Sequence, residues 1–222
     1  MITFETVLPI LYVTLPADVK PAAFTLWHGA QRWDGVPGLR APRVGHAEHG
    51  AGLYCTTEYA TARKYAAGAG STRLMTIDGS VRLLEGMRVH PDVLLHAVKS
   101  IPRLRAKQAI LDDIGWCAER SKSDTIGLNT IINLAAHHKA LSGSPAVAIS
   151  EFVAAQGADA SLYERHGEDW LVVFNPAIVL SSKPVRANDV DIAMFSLPRV
   201  REILLSVVET SGHQQAFQPS FG

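Results

Sequence analysis

Four short stretches of the chain carry side chains suited to a developing positive charge. Trp27-His28-Gly29 closes an aromatic, β-favouring run, and Tyr54 follows Gly52-Leu53. Tyr65 lies eleven positions further on, and Glu168 stands just before Asp169-Trp170. A tyrosine ring attracts a cation to its face by about 0.5–2 kcal/mol. An imidazole can donate or accept at its ring nitrogens. A glycine, lacking Cβ, leaves its backbone N–H and C=O open to a flat polar group, and a carboxylate stabilises a cation where it forms. Taken singly, each has a plain structural reading: a packed aromatic, a satisfied imidazole, a solvated carboxylate. Their order along the chain and the fixed tyrosine spacing give them a joint meaning.

Together these stretches resemble the ADP-ribosyltransferase family of the diphtheria-toxin and poly(ADP-ribose) polymerase type. There, a strand ends in His-Gly, a later Gly-x-Tyr opens a helix, a second Tyr follows eleven positions after the first, and a Glu begins a late strand. The resemblance covers roughly residues 24–78 and 158–180. It implies NAD as cosubstrate, nicotinamide as leaving group, and transfer of ADP-ribose to a macromolecular acceptor or to water. Tyr54 and Tyr65 would then sandwich the nicotinamide, Gly29 would pair with its carboxamide, and His28 would donate to a ribose hydroxyl. Glu168 would stabilise the oxocarbenium-like cation. The implied catalytic residues are Glu168, His28 and Tyr54, the NAD-binding ones His28, Gly29, Tyr54 and Tyr65, with no metal. Small bacterial members are often toxins, so by analogy a neutralising antitoxin protein is an expected partner. The chain departs from the family in two places. Ala62 stands where a serine usually bonds the carboxamide, and Asp169 intervenes between Glu168 and Trp170, so Asp169 or Glu164 could be the working carboxylate. Two further readings stay open: a catalytically inactive NAD- or ADP-ribose-binding module, and an RNA 2′-phosphotransferase using NAD. The latter needs basic residues near His28 that the sequence does not display.

Several elements must position these residues. A strand is predicted at Phe24-Thr25-Leu26-Trp27-His28, followed by a long Gly- and Pro-rich loop between Arg32 and Gly50 that would border the site and recognise the acceptor. TTEYATARKYAAG reads as a helix with a Thr cap, Glu58 in its first turn, Lys64 in its last, and Gly68 as its stop. A second strand is predicted at Arg73–Ile77. From about residue 91 to 156 the apolar period becomes helical, ending in a helix capped by Ser144, with Pro145 at its first position and Gly157 after it. Strands at Ser161-Leu162-Tyr163 and Trp170–Phe174 follow, then a terminal helix carrying Val200, Ile203, Leu204 and Val207. The expected fold is α+β: a split antiparallel β core of ADP-ribosyltransferase type, one domain over 1–222, with a helical insertion at about 91–156.

Composition removes other classes. The chain has 222 residues, 47% of them apolar and 19% charged, with 21 basic against 21 acidic side chains. A zero net charge argues against general nucleic-acid binding, since the most basic stretch holds only Lys99, Arg103, Arg105 and Lys107. No apolar run reaches the roughly 18–20 residues of a membrane span. The N-terminal apolar stretch has no basic region ahead of it, so no signal peptide is expected. Two cysteines, Cys55 and Cys117, without ligand spacing, fit a reduced cytoplasmic protein. His46, His49 and Cys55 form no metal-ligand frame, and the adjacent His137 and His138 point apart on a helix. Gly50-Ala51-Gly52 and Gly68-Ala69-Gly70 lack phosphate-cradle spacing. Trp116 and Cys117 are expected to pack within the insertion.

Overall fold

A computed structural model describes residues 23–42, 48–68 and 70–204. The apolar run Val7–Val13, the loop residue His46, Val207 and the C-terminal tail lie outside the described residues. The core is a six-stranded sheet in the order β6-β7-β2-β1-β3-β8. Its strands are β1 (Phe24–Ala30), β2 (Leu53–Thr56), β3 (Ser71–Ile77), β6 (Ala160–Arg165), β7 (Glu168–Val173) and β8 (Val179–Val185). Every neighbouring pair is antiparallel. Helix α1 (Tyr59–Tyr65) joins β2 to β3. The segment between β3 and β6 holds α2 (Pro91–Ser100), α3 (Lys107–Arg120), α4 (Thr130–His137) and α5 (Gly143–Ala155), with β4 (Arg88–Val89) and β5 (Ile126–Gly127) forming a small separate ribbon. The mixed α and β architecture and the helical stretch at about 91–156 agree with the sequence.

Strand alternation gives the sheet two different faces. On one, Phe24, Leu26, Leu53, Cys55, Met75, Ile77, Leu171 and Val173 form a cluster closed by Leu83, Ile178 and Val200. On the other, Val172 packs with the insertion's Leu94, Ile110, Ile114, Ile131, Ile149 and Val153. Beyond it, Trp27 packs with Tyr59 and Ala62 of α1. The insertion helices and α1 therefore cover one face between them.

Some local signals resolve differently from expectation. α1 begins one residue after Glu58, which is its N-cap residue rather than a first-turn acid, and no side chain caps it. The threonine hydroxyls ahead of it are engaged elsewhere. Similarly, α5 starts after Ser142, not Ser144, because Gly143 (φ +61°) lets the chain turn into the helix before Pro145 is reached. Trp116 does not pack inside the insertion: it is 54% exposed, and the Arg120 guanidinium lies 4.2 Å from its ring centre. Ile110 and Ile114 already define the buried stripe of α3. Two positions past Ile114 is about 200° around the helix, so the indole faces outward.

Candidate active site

Glu168 is the first residue of β7, and its carboxylate is held from two directions. The Thr56 hydroxyl at the end of β2 donates to Oε2 at 2.6 Å, and the Thr61 hydroxyl on α1 donates to Oε1 at 3.0 Å. The Thr56 oxygen also accepts the Glu58 backbone N–H, which fixes it where the chain turns into α1. Thr57 holds the same stretch of β7 through its backbone, donating its N–H to the Asp169 carbonyl and accepting the Asp169 N–H at its hydroxyl. Each Glu168 oxygen keeps acceptor capacity for a further donor. The consecutive threonines that read as a helix cap thus anchor the carboxylate.

Asp169 and Glu164, the other two carboxylates, belong to a different cluster. Alternation turns the Asp169 side chain to the opposite face from Glu168, where it is fully buried and bonded to Arg199 and Arg201. Glu164, its register partner on β6, pairs with the same two arginines at 2.9 and 3.2 Å. Both carboxylates tie the 199–201 segment to the sheet.

Tyr54 and Tyr65 meet around Trp170, which shares the Glu168 face of β7. The indole takes the edge of Tyr54 at 6.4 Å and of Tyr65 at 5.6 Å, with interplanar angles of 74° and 83°. The rings flank a common aromatic centre rather than lying parallel. Tyr65 is 56% exposed at the rim, whereas Tyr54 is partly buried and burial pushes its phenol up to about 12. The Tyr54 hydroxyl donates to the Gly50 carbonyl and accepts the His49 N–H, so the end of the long loop is fastened to the site. His49 stacks on Tyr163 at 3.6 Å, and Tyr163 in turn on Trp170 at 6.1 Å. Burial lowers the His49 pKa below its ordinary value. The sequence reading missed Trp170, Tyr163, Thr56 and Thr61 as site residues. The β2–β7 and β6–β7 registers bring Thr56 and Tyr163 opposite Trp170, and α1 brings Thr61 to Glu168.

His28 sits where β1 and β2 separate. β1 pairs with β3 along all seven of its residues but with β2 only at Trp27↔Thr56. The imidazole occupies the adjoining space, its Nδ1 2.8 Å from the Tyr54 carbonyl. A carbonyl can only accept, so Nδ1 carries the proton. Burial lowers the His28 pKa, the Tyr54 carbonyl opposes that shift, and the positive charges of Arg73 and Arg40 add to it. With the ring neutral, Nε2 is an acceptor, so a ligand hydroxyl there would donate to His28, the reverse of the direction the resemblance implies. Arg73 is the register partner of His28 on β3, bonded to Ser182, with its guanidinium over the Trp33 ring at 4.6 Å. A basic residue that the sequence did not place near His28 is therefore there.

Gly29 is dictated first by packing. A Cβ on it would lie 1.7 Å from the Ala62 carbonyl oxygen, so α1 rests directly on the β1 backbone. Ala62 is itself buried, 1% exposed, in the small cluster with Trp27 and Tyr59. Among the described residues no three His, Cys, Asp or Glu side chains gather into a possible metal site, and no helix is long and apolar enough to cross a membrane. Comparison with family models, with curated proteins and with solved structures finds no match for the chain.

Proposed function

We propose that the protein is an NAD-dependent ADP-ribosyltransferase that cleaves the nicotinamide glycosidic bond and transfers ADP-ribose to a macromolecular acceptor. The observation that carries this reading is the Glu168 carboxylate, fixed by Thr56 and Thr61 beside the tyrosine–tryptophan cluster. NAD would enter with its nicotinamide among Tyr54, Tyr65 and Trp170, where aromatic rings attract its cationic ring. A ribose hydroxyl would donate to His28 Nε2, and Glu168 would accept from another. As the bond between the ribose carbon and the pyridinium nitrogen breaks, its electron pair passes to the nicotinamide, which leaves neutral. The positive charge then resides on the ribose, next to the Glu168 carboxylate. The acceptor nucleophile completes the transfer from the opposite side and loses its proton to solvent. The divergence of β1 from β2 beside His28 supports a split β core, and the bonds of His49 and Gly50 to the Tyr54 hydroxyl support a place for the long loop beside the site. A toxin paired with an antitoxin in the cytoplasm is the biological setting that suits this activity.

Arg73 beside His28 favours a second reading, an RNA 2′-phosphotransferase that also uses NAD, because an arginine fork matches a phosphate. The buried Ala62 methyl, offering no hydroxyl to a carboxamide, favours an NAD-binding module without turnover. Incubation with adenine-labelled NAD and a cell extract separates the three. Label on a macromolecule supports the proposal. Loss of phosphate from a 2′-phosphorylated RNA instead, or binding of NAD with neither outcome, contradicts it.

A further inference from the structure

Helix α1 has a second working flank. Thr61 and Tyr65, one turn apart, face Glu168 and Trp170; Tyr59 and Arg63, also one turn apart, lie on the other side. There a cavity of about 470 Å³ is lined by Tyr59, Arg63, Thr72 of β3, and Arg186 and Asp189 just beyond β8. That volume falls within the ~300–1,000 Å³ common for small-molecule sites. Arg63, Arg186 and Asp189 all line it, and among the described residues none of the three makes an ion pair. The cavity therefore has a surplus of one positive charge. Its wall includes two residues that are 5% and 3% exposed, Tyr59 and Thr72, whose hydroxyls are buried without a hydrogen-bond partner among the described residues. Buried hydroxyls normally find partners, and leaving them unmatched is unfavourable.

The geometry points to a binding site for a phosphate-bearing sugar, separate from the NAD cleft. Arg63 and Arg186 supply the planar donor forks that fit phosphate oxygens. Asp189 accepts only, so it would repel a bare phosphate but take the hydroxyls of an attached sugar. The site does not rest on the NAD reading, because α1 stands between the two.

Calorimetric titration of the full chain with ribose 5-phosphate, inorganic phosphate and ribose tests this. Ribose 5-phosphate should bind saturably, inorganic phosphate more weakly, and ribose not measurably. Arg63→Gln and Arg186→Gln, both at exposed positions, should each weaken ribose 5-phosphate binding at least tenfold, while Tyr65→Ala leaves it unchanged. No saturable binding by the wild type, or affinity unaltered in both arginine variants, overturns the site. Weakening by Tyr65→Ala would assign the ligand to the NAD cleft instead, and equal affinity for inorganic phosphate would overturn the sugar-phosphate class.

Discussion

Three carboxylates crowd the start of β7 and the end of β6, and their partners rather than their charges distinguish them. Glu168 is bonded by two neutral hydroxyls, whereas Asp169 and Glu164 are bound to Arg199 and Arg201. Asp169→Asn should therefore cost about 1–3 kcal/mol of stability by loosening a buried ionic cluster, read by urea denaturation, while any NAD cleavage stays within a few-fold of wild type. A larger loss of cleavage without a stability change would transfer the Glu168 role to Asp169. Tyr65, half exposed beside Trp170, should contribute binding more than turnover. Tyr65→Ala should weaken NAD binding about two- to thirtyfold, the equivalent of a cation–π contact of about 0.5–2 kcal/mol, measured by calorimetry. At this scale the sequence displays the residue types but not their partners. Nothing in Thr56-Thr57 alone tells a helix cap from a carboxylate anchor, since that depends on a strand more than a hundred positions away.

α1 is the element on which both flanks depend, and its seat is the bare backbone of β1 at Gly29. Gly29→Ala would put a methyl group into the Ala62 carbonyl, 1.7 Å away, and force the helix off the sheet. The expected cost is at least about 1–3 kcal/mol, seen as a lower denaturation midpoint, together with lost NAD binding as Thr61 and Tyr65 move. An unchanged midpoint would contradict this packing. β1, β3 and β7 were legible because runs such as FTLWH and WLVV are short, apolar and β-branched or aromatic. β8 was not: Ser181, Ser182, Lys183 and Pro184 resemble a loop, and only an edge strand pairing on one side tolerates that proline. The insertion helices announced themselves by their period, but apolar character did not fix rotation, which is why Trp116 emerged at the surface.

For the whole molecule, α1 and the four helices between β3 and β6 together cover one face of the sheet. The insertion closes around residues such as Ile131, wholly buried, and Ile131→Ala should cost about 2–5 kcal/mol by leaving a cavity, again by denaturation. Burial of neutral His28 makes stability depend on pH. Its folded pKa lies below the ordinary 6.5, so in the window beneath 6.5 the unfolded chain binds a proton that the folded one does not. This contribution is present above that value and lost as pH falls toward the folded pKa; His28→Gln should flatten that part of a stability–pH curve. Charge balance and composition correctly suggested an ordinary globular chain, while the pairing of strands distant in sequence, which assembles Glu168, Tyr54 and His28, lay beyond local patterns. Glu168 is tested most directly by nicotinamide release from NAD by the purified wild type and Glu168→Gln, measured side by side with and without cell extract. The wild type should release nicotinamide, and the variant about 10²–10³-fold less, with NAD affinity nearly retained. No release by the wild type under either condition, or equal release by both proteins, would contradict this.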